Sequence, residues 1–251
     1  MIARRTVLAT PLLMTACMHP PPTPQREGQH SFELRTALGP TESVRMWLHL
    51  PRGYRASSRI WPLVVFLHGS GERGTELERV KAHGPPKLAD RGADYPFILV
   101  SPQLDEGLRW DSVSLHALLL ALQTRLRIDP DRVCATGLSL GGHGVWDWAT
   151  AYPHDLAAIA PVCGFGEAED VCRLRHVPVR AYHGAADTVV PLARQQECVD
   201  ALRACGGTAD FIVYPGVGHD AWNPAYDDPA LVPWLMAQVR RRRPAASRTA
   251  S

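Results

Sequence analysis

Residues 132–142 read Arg132-Val133-Cys134-Ala135-Thr136-Gly137-Leu138-Ser139-Leu140-Gly141-Gly142. The apolar run over 132–136 predicts a strand, and the pattern over 142–150 predicts a helix. Between them lies G-x-S-x-G. A serine on so tight a strand-to-helix turn has its Oγ pushed out above the sheet, and the flanking glycines let the backbone cross closely. The helix that follows directs its positive end at the same point and favours an anion there. The strand before and the helix after separate this pattern from a chance match.

Working outward, short β-type runs alternate with helical ones. Residues 32–37 and 44–50 alternate apolar and polar side chains, as an antiparallel opening pair does. Pro62-Leu63-Val64-Val65-Phe66-Leu67 is continuously apolar, the mark of a strand covered on both faces. Further strands are predicted over 97–100, 156–162, 177–182 and 210–214. Helices are predicted over 112–127, 193–204 and 231–240. In the first of these, Leu115, Leu118, Leu119, Leu122 and Leu126 share one face. Strands alternating with helices imply a mostly parallel, twisted sheet with helices on both faces. The stretch between Cys163 and Val177 is too short for a large cap domain.

A serine nucleophile requires a base and a group to orient it. With a strand-to-helix elbow the chain order is Ser, then acid, then His. His219 lies in Gly216-Val217-Gly218-His219-Asp220, past the last strand, and Asp187 lies in His183-Gly184-Ala185-Ala186-Asp187, past the strand before it. Both positions fall at carboxyl ends of strands, where open α/β sheets place their sites. Asp170 and Glu167 are the competing acids. His68 and His183 are expected to brace turns, and His143 to pack or cap. An oxyanion formed at Ser139 needs two donors. The backbone N–H of Leu140 is one, and that of Ser70, in His68-Gly69-Ser70-Gly71-Glu72-Arg73-Gly74, is the other, with Gly71 N–H as its alternative. Glu72 and Arg73 either line the substrate pocket or pair with each other and fix the loop. Trp222, three residues past the base, is a candidate pocket wall.

The segments HGSGERG, GLSLGG, HGAADTVVP and YPGVGHDAWNPAYDDP resemble those of small secreted α/β-hydrolases, in the right order over roughly residues 30–240. These are grouped with dienelactone-hydrolase and prolyl-oligopeptidase-like esterases. The resemblance implies an α/β-hydrolase fold with Ser139, Asp187 and His219 as the triad. Dienelactone hydrolases proper carry a cysteine nucleophile, and Ser139 departs from that toward ester hydrolysis. The expectation is a serine carboxylesterase acting through an acyl-enzyme on short-chain or polymer-borne esters, with no metal or organic cofactor. A peptidase or amidase on the same triad and a non-catalytic envelope binding module are the alternatives. The peptidase would lack the propeller that selects oligopeptides in prolyl oligopeptidases.

The ends of the chain read differently from its body. A short basic start, an apolar stretch over 7–16 and Met14-Thr15-Ala16-Cys17 resemble an export signal with a lipobox, Cys17 being the lipidated residue. Residues 18–29 read as a proline-rich linker, 30–240 as the hydrolase domain and 241–251 as a basic, disordered tail. The expected location is therefore the cell envelope, the periplasm or outside the cell. Membrane contact would come only through the N-terminal anchor. Basic residues number 27 against 25 acidic. Arg4, Arg5, Arg240, Arg241, Arg242, Arg243 and Arg248 all lie at the ends, so the body is net acidic and unsuited to nucleic acid. Cys163 and Cys172 flank a short loop and are candidates for a disulfide in an oxidising compartment. Cys198 and Cys205 lie about two helical turns apart, beyond disulfide reach unless the helix ends before Cys205.

Overall fold

The computed structural model describes residues 26–35 and 43–240. The regions read as export signal and basic tail, with Cys17, lie outside the described residues, as does most of the stretch read as linker. Strand β1 (Gly28–Arg35) begins inside that stretch, which corrects the domain start to Gly28. Gln29 already pairs in register with His49, and its amide donates to the Pro86 carbonyl at 3.0 Å.

β1 and β2 (Ser43–Leu50) form the expected antiparallel opening pair. There follow β3 (Trp61–Leu67), α1 (Gly84–Asp90), β4 (Ile98–Pro102), α2 (Ser112–Gln123), β5 (Ile128–Leu138) and α3 (Leu140–Ala151). The chain continues with β6 (Ala158–Val162), β7 (Val179–Gly184), α4 (Leu192–Ala204), β8 (Ala209–Tyr214), α5 (Trp222–Asp227) and α6 (Leu231–Ala237). Short 3-10 turns cover Ser70–Glu72, Leu77–Ala82 and Val171–Leu174. The eight strands form one sheet in the order β1-β2-β4-β3-β5-β6-β7-β8. β2 pairs antiparallel with both its neighbours, and every pairing from β4 to β8 is parallel. This is the α/β-hydrolase architecture. The 163–178 connection holds one 3-10 turn and no large cap.

The sheet is covered on both faces because its central strands are apolar on both. In β3, Leu63, Val65 and Leu67 enter the core shared with α2, α3 and α4, while Val64 and Phe66 enter the core shared with α5 and α6. Leu115, Leu118, Leu119, Leu122 and Leu126 all enter the first core, while Leu120 faces outward. Trp146 and Trp148 are buried there too. Removing a side chain of this size typically costs about 3–5 kcal/mol.

Several boundaries differ from the sequence pattern. β5 starts at Ile128, because Ile128 pairs with Trp61 ahead of a register shift in β3. α2 and α6 are shorter than predicted. α1 was hidden by Gly84-Pro85-Pro86, which reads as a turn although proline fits the first turn of a helix.

The disulfide also differs from expectation. Cys172 bonds to Cys205, with their Cα atoms 5.7 Å apart, and Cys163 is free and buried. α4 ends at Ala204, so Cys205 is the capping residue and turns off the helix toward the 3-10 turn carrying Cys172. Cys163 is turned inward at the end of β6 by a backbone with φ 49°. Among the described residues, no helix is long and apolar enough to cross a membrane.

Candidate active site

Ser139 sits between β5 and α3 with φ 51° and ψ −116°, a conformation non-glycine residues seldom hold. Three contacts force it. The Ser139 N–H donates to the Val162 carbonyl of β6 at 2.9 Å, and the Ser139 carbonyl accepts from His143 N–H at 3.0 Å. A Cβ on Gly137 would lie 2.5 Å from the Gly141 oxygen. The glycines of the motif are therefore required by backbone crossing, and the serine is lifted to the N-terminus of α3.

His219 reaches it from the loop after β8. Its Nε2 lies 2.8 Å from Ser139 Oγ, and its Nδ1 lies 2.8 Å from Asp187 Oδ2. The Asp187 side chain is fully buried. Its Oδ1 accepts the N–H groups of Val189 and Val190, each at 2.9 Å, and His183 Nε2 stands 3.2 Å from Oδ2. Burial pushes the Asp187 carboxyl upward. The His219 hydrogen bond, the two N–H groups and the His219 charge outweigh that and hold it below the usual carboxylate value. The structure thus brings Ser139, Asp187 and His219 into one hydrogen-bonded line. Glu167 and Asp170 are exposed on the segment after β6, Glu167 facing Arg194 at 3.8 Å.

The approach of the acid and base loops depends on a glycine the sequence reading passed over. A Cβ on Gly184, the last residue of β7, would lie 2.1 Å from the Gly218 oxygen. Ala186 N–H donates to Val217 O at 2.9 Å, tying the two loops together. His183 is buried beneath them. Its Nε2 lies 3.0 Å from Val190 O, and its Nδ1 meets Gln195 Oε1, so it braces the acid loop as expected of it.

The loop after β3 passes beside the elbow. A Cβ on Gly69 would lie 2.8 Å from Leu138 Cδ1, one residue before Ser139. Glu72 is buried, and its Oε2 takes the Gly69 N–H at 2.9 Å. Its Oε1 stands 3.6 Å from His83 Nε2. Arg73 turns the other way, donating to the carbonyls of Ser70 and Leu108, each at 3.1 Å, with Glu106 at 3.9 Å. The anticipated Glu72–Arg73 pair is therefore replaced by separate partners, because Glu72 folds back under its own loop. His68 holds the loop from below. Its Nδ1 donates to Gly69 O at 2.7 Å and its Nε2 accepts Leu104 N–H at 3.1 Å, while its carbonyl accepts Trp110 Nε1–H at 3.0 Å. Burial lowers its pKa from 6.5 to about 4. Ser70, next to the committed Gly69 N–H, is exposed, and Leu140 opens α3.

Trp222 stands edge-on to the His219 ring, centroids 5.2 Å apart, and 5.3 Å from the His83 ring. Its indole N–H is buried without a hydrogen-bond partner. His83 was missed in the sequence because its acid, Glu72, is brought to it only by the fold. His143 packs edge-on against Phe165, and its Nδ1 lies 2.8 Å from the Phe165 oxygen.

This geometry has relatives. A sequence named "Putative carboxymethylenebutenolidase" from Methylorubrum extorquens is 31% identical over 128 residues, covering 45% of this chain and 43% of that protein. Poly(3-hydroxyalkanoate) depolymerase C of Paucimonas lemoignei is 30% identical over 139 residues, covering 49% of this chain and 31% of that one. The chain thus spans less than half the length of either relative. A crystal structure of a thermostable esterase superposes with a TM-score of 0.74 at 26% identity, covering 85% of this chain and 64% of that one. Residues 100–231, which carry Ser139, Asp187 and His219 and make up more than half of the sequence, match the Dienelactone hydrolase family. The chain belongs to the dienelactone hydrolase family.

Proposed function

We propose that the protein is a serine carboxylesterase that hydrolyses short-chain or polymer-borne esters through an acyl-enzyme. The observation that carries this reading is the pair of 2.8 Å contacts linking Asp187, His219 and Ser139. His219 Nε2 takes the Oγ proton as Ser139 attacks the acyl carbonyl, and Asp187 holds the imidazole with its proton on Nδ1. The N–H groups of Leu140 and Ser70 receive the oxyanion. His219 then protonates the leaving alcohol, and water activated by the same ring releases the acid.

Trp222 and His83 supply an aromatic wall beside the base. The unpartnered indole N–H of Trp222 suits a polar group on the substrate. An ester is preferred over an amide because a shallow site supplies little remote binding energy for the harder leaving group. Export is part of the proposal. The Cys172–Cys205 bond fits an oxidising compartment, as does the signal-like start with Cys17.

Exposure to a fluorophosphonate followed by mass spectrometry tests the nucleophile. The expected result is one adduct, on Ser139, absent in Ser139→Ala. Parallel assay of a short-chain nitrophenyl ester and the matching anilide tests the reaction class. An anilide cleaved as fast as the ester would make the protein an amidase, and no adduct would make it a binding module.

A further inference from the structure

Cys163 takes no part in the mechanism above, yet it lies against it. Its thiol is fully buried at the end of β6. One donor atom each from Cys163, Asp187 and His219 fall within 4.8 Å of one another. The inward turn at φ 49° that removes Cys163 from the disulfide is what puts it there. The Asp187 and Asp220 charges act on the sulfur. The three donors are thus a sulfur, an imidazole nitrogen and a carboxylate oxygen, gathered in a net negative environment.

We propose that Cys163, Asp187 and His219 form an inhibitory binding site for a thiophilic divalent cation of the zinc class. Zinc takes this mixed ligand set in tetrahedral geometry, with bonds of about 2.0–2.3 Å and ligand atoms roughly 3.5 Å apart. The Asp187–His219 contact of 2.8 Å has to open by under an ångström, and the sulfur has to close by about one. Three protein ligands leave the fourth position for water. The His219 side chain is 20% exposed while those of Cys163 and Asp187 are buried, so the ion reaches the site as the His219 ring swings aside. Coordination at Nδ1 releases the thiol proton to solvent and shifts the ring proton from Nδ1 to Nε2, which breaks the Asp187–His219 hydrogen bond. A metal-bound His219 cannot take a proton from Ser139, so turnover stops. Magnesium and calcium prefer all-oxygen shells and pass the site by.

The test uses the full chain with cobalt as a spectroscopic probe and zinc as inhibitor. Cobalt should give tetrahedral d–d bands and a sulfur-to-metal charge-transfer band in the wild type. Both should persist in Ser139→Ala, so the site is judged whether or not the esterase reading holds. Both should be lost in Cys163→Ser and in Cys163→Ala, the second variant guarding against a misfolded first. Zinc should inhibit ester hydrolysis reversibly, relieved by a chelator, and the midpoint should rise ~10-fold or more in the folded Cys163 variants. Magnesium should have no effect. A thiolate band that survives in Cys163→Ser would assign the metal to another cysteine and overturn the proposal. Absence of any band in folded wild type, or one zinc midpoint for all variants, would overturn it equally.

Discussion

Gly141 crosses Leu67 so closely that a Cβ on the glycine would lie 1.9 Å from the Leu67 carbonyl oxygen. Both partners are backbone, one at the start of α3 and one at the end of β3, so no side chain can swing aside. The position of Ser139 is therefore bound to the strand that leads into the loop of Ser70. Gly141→Ala should destabilise the fold by more than the roughly 1–3 kcal/mol of ordinary overpacking. Gly71, in the neighbouring loop, has nothing within 4 Å of an added Cβ, and Gly71→Ala should stay within about 0.5 kcal/mol of wild type. Urea midpoints of the two variants check this. Equal midpoints would show that the elbow relaxes freely.

Asp187→Asn should fold normally and lower kcat by about 10⁴. The amide can still accept the Val189 and Val190 N–H groups through its oxygen, but its NH₂ cannot accept the His219 Nδ1 proton. Single-turnover release from a nitrophenyl ester measures the effect. Activity within ten-fold of wild type would return Glu167 and Asp170 to consideration as the acid.

The legible parts of this protein were the local ones. The elbow could be read because strand, glycines, serine and helix are consecutive. Asp187 and His219 could be read because each closes a strand in the order such sheets require. What escaped depends on contacts between distant segments. Gly184 matters only because Gly218 comes to lie on it, and Glu72 meets His83 rather than Arg73 because the loop folds back. The disulfide turned on whether α4 stops at residue 204 or runs one residue further, a difference sequence patterns do not resolve. Cys163 looked like a disulfide partner because its inward turn is set by the packing of β6 against β5 and β7, not by its neighbours in sequence.

His68 should make stability depend on pH. Its ordinary value of 6.5 falls to about 4 in the folded protein, because burial disfavours the charged ring. Between those values the unfolded chain binds a proton that the native state refuses, so stability rises with pH across that window and is flat above it. The loss on going down through the window is about 3 kcal/mol. Protonation would also remove the acceptor for Leu104 N–H and loosen the loop after β3. Urea melts at about pH 4.5 and 7 for wild type and His68→Gln provide the check. The variant should show the smaller difference, and an identical pH dependence would refute the assignment.

Cys172–Cys205 should contribute measurably to stability. The residues are 33 apart in sequence, and closing such a loop removes unfolded-state entropy worth about 4 kcal/mol. Reduction, or Cys172→Ser with Cys205→Ser, should therefore lower Tm by roughly 8–16 °C for a chain of this size. Activity at 25 °C should persist, since the bond lies away from Ser139 and joins the 3-10 turn after β6 to the end of α4. Differential scanning calorimetry with and without reductant decides it. An unchanged Tm would mean that the 163–178 connection is already held by packing of Val171 and Leu174.

Acyl preference follows from what surrounds the triad. Each methylene moved from water into an apolar pocket is worth about 0.8 kcal/mol, so a deep covered tunnel would keep gaining specificity as the chain grows. The 163–178 connection, where a cap would stand, holds a single 3-10 turn whose Val171 and Leu174 are buried in the core. The groups that remain beside Ser139 are Trp222, His83 and the Ser70–Glu72 turn, the turn meeting His83 through Glu72. A site bounded by these few groups suits an acyl chain of a few carbons. kcat/KM should therefore peak at acetyl to butyryl esters and fall steeply by octanoyl, and the rate should not jump at a lipid–water interface. Trp222→Ala should flatten this profile, raising KM for butyryl more than for acetyl esters while leaving the fluorophosphonate adduct on Ser139 intact. Nitrophenyl esters of increasing chain length, assayed below and above their solubility limit, measure both effects. A maximum at decanoyl or beyond, or clear interfacial activation, would contradict the open site and require a wall that these residues do not build.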